Sequence, residues 1–128
     1  MKRIAVVEDE PVIALDILDA IKVAGHIAVG PATTVSAGIT LVAQGIDAAI
    51  INYILRDGTA DPLISSLIDG RIPFLVASGA SIVPPMPEGA RCALIQKPFG
   101  STALVERLIA LMLEGRGSAA LSEAGRAG

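Results

Sequence analysis

The chain has 128 residues, 52% of them apolar and only 2% aromatic, with a formal net charge of −3. That length suits one domain around a single core of Ile, Val, Leu and Ala. The acidic balance and the lack of a Lys/Arg run argue against nucleic acid as a partner. The lone Cys92 excludes an internal disulfide, and no apolar stretch reaches membrane-spanning length.

Short apolar runs alternate with longer segments of helical spacing. The first run, Ile4 to Val7, follows Lys2-Arg3 but is too short for a signal peptide before Glu8 and Asp9 break it; a cytoplasmic protein is expected. Glu10-Pro11 opens a helix, because proline is tolerated in a first turn. Val12, Leu15, Leu18 and Ile21 then recur at helical spacing, and Gly25 stops it. His26 to Gly30 reads as a second strand. Thr34 or Ser36 caps a helix through Ala43, with Gly45 as its terminator.

Ala48 to Ile51 is a third strand, ending at Asn52 with a loop behind it. Asp61-Pro62 starts a short helix reaching Leu67 or Ile68. Pro73 to Ala77 is a fourth strand and Cys92 to Ile95 a fifth. Ser101 is the expected cap of a last helix, Thr102 to Leu113. Apolar residues surround most of that helix, so it is either packed deeply or offers a dimer or partner surface. Residues 1–114 form the expected domain, and the small polar residues of 115–128 predict a disordered tail.

Strands alternating with helices predict an α/β fold, a doubly wound five-stranded parallel sheet with right-handed crossovers. Ligands of such sheets sit beyond the carboxyl ends of the strands. The residues there are Glu8, Asp9 and Glu10, then Asn52, then Ser78-Gly79, then Lys97-Pro98. Adjacent acids suit a magnesium ion, a lysine suits a phosphate, and a serine hydroxyl can donate to a phosphoryl oxygen. The set describes phosphoryl transfer without its anionic nucleophile.

VVEDE, the strand DAAII ending at Asn52 with RDG behind it, Ser78-Gly79 and QKPF, in that order and spacing, resemble the receiver domain of two-component response regulators. The resemblance runs from residue 2 to about 113 and implies a flavodoxin-like strand order, 2-1-3-4-5. It implies Asp9 as a direct magnesium ligand, Glu8 acting through water, Ser78 as the switch hydroxyl and Lys97 as the phosphate-pairing lysine, before a proline that is often cis. Asn52 falls on the position of the phosphoacceptor aspartate.

An amide is a poor nucleophile and forms no acyl phosphate. Asn52 thus implies a stable fold with the usual phosphorylation blocked, naturally or by design, and with magnesium weakened. It relieves carboxylate crowding and can accept a hydrogen bond from Lys97. The switch position, aromatic in many receivers, is Leu94. Pro84, Pro85 and Pro87 predict that the helix between the fourth and fifth strands is shortened or lost.

The expected function is that of a stand-alone receiver, not an enzyme, in phosphorelay signalling. It would act by contact with a sensor histidine kinase or phosphotransfer protein, or with a second copy. The alternative is a phosphatase-like or nucleotide-binding enzyme on a similar fold. That reading lacks GxxxxGK[ST], GxGxxG and a DxD pair after the first strand. Asp57-Gly58 reads as a turn rather than a substitute acceptor. His26 reads as a loop histidine, and Cys92 as a buried, inert thiol.

Overall fold

The computed structural model describes residues 1–79, 86–97 and 99–114. The elements in chain order are β1 (Arg3–Val7), α1 (Pro11–Val23), β2 (Ile27–Ala32), α2 (Val35–Ala43), β3 (Ala48–Asn52), β4 (Ile54–Leu55), β5 (Gly58–Thr59), α3 (Asp61–Asp69), β6 (Phe74–Ser78), β7 (Cys92–Gln96) and α4 (Ser101–Glu114). Five strands form one parallel sheet in the order β2-β1-β3-β6-β7. This is the expected flavodoxin-like order. β4 and β5 form a separate antiparallel hairpin.

Alternation along the strands divides the interior into two layers. Ala5, Val7, Ala49, Ile51, Phe74 and Val76 face one side, where α2 and α3 add Val35, Leu63, Ile64 and Leu67. Ile4, Val6, Ala48, Ile50 and Leu75 face the other, against Ile17 and Ile21 of α1 and Leu104, Leu108 and Leu111 of α4. The central strands are buried on both faces, which is why they read as unbroken apolar runs. The last helix is deeply packed: Leu104, Val105, Leu108 and Leu111 are buried, Ile109 and Met112 pack against them, and Leu113 is exposed.

Three local details differ from the sequence expectations. β2 continues two residues past Gly30, to Ala32. Its register with β1 shifts between Ala5 and Val7, so the chain bulges at Gly30-Pro31 and pairs again beyond it. Ala32 then accepts a hydrogen bond from the Glu8 amide at 2.9 Å. An edge strand is where a bulge and a proline are tolerated. The loop expected after Asn52 contains the β4–β5 hairpin, closed by the Ala60 amide on the Tyr53 carbonyl at 2.8 Å.

Ser101 is the first residue of α4, and its hydroxyl donates to Asp16 on α1 at 2.8 Å. Thr34 does cap α2, accepting from the Ala37 amide at 3.0 Å. Between β6 and β7, the described residues Met86 to Arg91 form a turn and no helix. Pro84, Pro85, Pro98 and the tail 115–128 lie outside the described residues, so the expectations about them do too.

Candidate functional site

The parallel sheet brings the singled-out residues to one edge. Glu8 leaves β1, Asn52 ends β3, Ser78 ends β6 and Lys97 follows β7. Register fixes their depth: Asn52 lies beside Ala77, Ser78 beside Gln96, and the Lys97 amide donates to the Ser78 carbonyl at 2.8 Å. Glu8, Asn52 and Ser78 are the buried polar residues among those described, at 2%, 9% and 1% exposure. Three buried polar side chains on one rim of an otherwise apolar sheet mark it as a site rather than core.

The acids are held apart in function by their surroundings. Glu8 turns inward, and its Oε2 accepts from the Glu10 amide at 3.0 Å. Burial pushes its carboxyl above the usual range; the Glu10 amide and the charge of Lys97 pull back, while Asp9 raises it further. Asp9 accepts at Oδ1 from the Asn52 Nδ2 group at 3.4 Å. The same nitrogen donates to the Ile54 carbonyl at 2.9 Å. Asn52 thus uses its nitrogen toward Asp9 and Ile54, and among the described residues no hydrogen bond joins it to Lys97.

Ser78 Oγ lies 3.4 Å from the Gly79 carbonyl. Leu94 is half-buried, paired with Val76 across β6–β7 and packed on the α2–α3 side of the core.

Residues that sequence reasoning passed over complete the rim. Arg56, in the hairpin turn, reaches the Asp9 carbonyl with Nη2 at 3.4 Å. Tyr53 is buried, and its hydroxyl donates to Asp61 at 2.8 and 3.0 Å. Accepting Asp61 oxygens and burial push that phenol up. No periodicity signals a lone tyrosine beside a strand end, and two-residue strands are too short to show alternation. His26 accepts at Nδ1 from the Lys2 amide at 3.0 Å, a structural contact at the opposite edge. Cys92 is half-buried and its thiol is pushed up by burial.

Asp57, read from the sequence as a turn residue, is more than that. Its carboxylate accepts from the Val35 amide at 2.7 Å and the Ser36 amide at 3.3 Å. It therefore caps α2 from outside the helix, beside Thr34. These amides hold its carboxyl below the usual range. A lowered carboxyl stabilises the fold above the unfolded-state value of about 3.9 and loses that contribution as pH falls through the folded value. Asp57→Ala is accordingly expected to melt lower than the parent at pH 7. The gap should close in acid; melts at both pH values would show a constant gap if the cap were unimportant.

A divalent cation of the kind the resemblance implies needs oxygen ligands. Glu8 and Asp9 can supply them. Asn52, as it stands, presents a donor rather than an acceptor to Asp9, and so does not fit. Among the described residues no three His, Cys, Asp or Glu side chains converge on a common point.

No family model and no curated protein matches the sequence. Solved structures do. The chain is similar to SdrG from Sphingomonas melonis Fr1, at 34% identity over 88% of this chain and 97% of that one, with a TM-score of 0.73. It shares its fold with a response regulator receiver domain protein from Clostridium thermocellum, at 20% identity over 89% and 96%, with a TM-score of 0.74. It also resembles the anti-anti-sigma factor PhyR from Bartonella quintana, at 27% identity and a TM-score of 0.70. There 88% of this chain spans 47% of the longer one. No helix among the described residues is long and apolar enough to cross a membrane.

Proposed function

This chain belongs to the receiver domains of response regulators, and from that premise we propose that it signals by protein contact without the usual aspartyl phosphorylation. The observation that carries this reading is Asn52, a buried amide at the end of β3, within hydrogen-bond distance of Asp9. The usual receiver product is an acyl phosphate, formed when an aspartate carboxylate oxygen attacks phosphorus, and a neutral amide oxygen is a poor nucleophile that gives no such product. Ser78 and Lys97 take the phosphate-supporting places around it, and Leu94 the switch place.

Contact is supported by the surface beside the site. Val12 and Leu15, in the first turns of α1, are 81% and 63% exposed, apolar side chains next to the acidic rim. Exposed apolar groups so placed mark a face for a partner, here a sensor histidine kinase or phosphotransfer protein. Similarity to about half of an anti-anti-sigma factor supports an output made through another protein.

The test is acceptor chemistry on the parent and on Asn52→Asp, each given magnesium and acetyl phosphate and weighed intact. In the variant, a carboxylate oxygen attacks phosphorus, an aspartyl phosphate forms and acetate leaves. We expect only the variant to gain a phosphoryl mass. A parent that gains it has another acceptor, and a folded variant that never does lacks a receiver site.

A further inference from the structure

The Asn52 amide nitrogen lies within hydrogen-bond distance of two oxygens, the Ile54 carbonyl at 2.9 Å and Asp9 Oδ1 at 3.4 Å. One group with partial positive charge thus stands between a carboxylate and a main-chain carbonyl, on a residue that is 9% exposed. That is the electrostatic task of a bound cation. We propose that Asn52 is an internal substitute for the divalent cation: its N–H groups hold the rim in one arrangement, and the site needs no metal to keep it. This rests on the receiver reading of the rim, and it makes Asn52 a positioning residue rather than a vacant acceptor.

Three further observations point the same way. Lys97 already bears on Glu8 with its charge. Arg56 donates to the Asp9 carbonyl at 3.4 Å. Positive groups of the chain therefore stand near the Glu8 carboxyl and against the Asp9 main chain. The Ile54 carbonyl also belongs to β4, so the amide anchors the hairpin whose turn residue, Asp57, caps α2. An aspartate at position 52 has no N–H to give. It would set a third carboxylate against Asp9 and leave the Ile54 carbonyl without its donor, a charge excess that a bound cation relieves.

Thermal unfolding of the whole chain in EDTA and in magnesium tests this. The parent is expected to melt at the same temperature in both. Asn52→Asp is expected to melt several degrees lower than the parent in EDTA, and to recover on adding magnesium. A parent stabilised by magnesium as much as the variant would overturn the proposal, as would a variant equal to the parent in EDTA.

Should Asn52→Asp not fold, the parent alone decides. Manganese added to it should leave the Glu8, Asp9 and Ile54 amide resonances sharp, and selective broadening there would sink the idea. These readouts are independent of phosphoryl transfer. A variant that binds magnesium but takes no phosphoryl group would defeat the proposed function and leave the substitution intact.

Discussion

Leu108→Ala is expected to lower stability by about 3 kcal/mol, the middle of the range for emptying a well-packed leucine site, and Tm by roughly 10 °C or more. Leu108 is fully buried at 0% exposure, in the layer where α4 meets α1 and the sheet. Its neighbours there include Ile17, Ile21, Ile50 and Leu104. They belong to three separate elements, so no single side chain can shift to fill the space. Leu113→Ala, on the same helix but 66% exposed, is the control. Its loss should stay within about 0.5 kcal/mol. Equal losses in chemical denaturation would mean that α4 is not seated as described.

Gly30→Ala should cost a similar amount, about 3 kcal/mol, by two routes. Gly30 has φ +108°, where L side chains are strained. A Cβ there would also stand 2.8 Å from the Val6 carbonyl oxygen and 3.1 Å from the Ala32 nitrogen, both main-chain atoms. Main chain inside a sheet cannot swing aside as a flexible side chain does. Gly25 separates the two routes, because it has φ +90° and nothing within 4 Å of an added Cβ. Gly25→Ala should therefore show strain alone, about 1–2 kcal/mol. The Gly30 effect should also reach the site, since the bulge sets Ala32 against the Glu8 amide. A large shift of the Glu8 amide resonance is expected in Gly30→Ala and none in Gly25→Ala.

Strands with two buried faces were the most legible elements. Ile4 to Val7, Ala48 to Ile51 and the apolar residues around Leu75 stand in the sequence as runs that polar residues interrupt sharply, and the sheet uses them so. The rim followed from them, because parallel strands put their C-terminal residues at one edge. β2 was legible only in part. Gly30-Pro31 looks like punctuation locally, but pairing with β1 carries the strand through it, a case of tertiary structure overriding local preference. Asp57 was illegible beyond its turn chemistry, since its acceptors' donors lie more than twenty residues earlier in the chain. Nor could the sequence tell which end of the Asn52 amide faces Asp9. That depends on the Ile54 carbonyl, which enters only once the hairpin has formed.

The Asp57 cap has a consequence for observation. The Val35 amide proton sits in a 2.7 Å bond to a carboxylate carried by a different segment. Charge-assisted bonds of that length deshield the proton strongly, so Val35 should resonate well downfield of its helical neighbours. Its chemical shift is therefore a remote gauge of the hairpin over the site. A docked partner, a pH change or a substitution at the rim that moved the hairpin would register at the head of α2, in a spectrum of the unlabelled partner with the isotope-labelled chain.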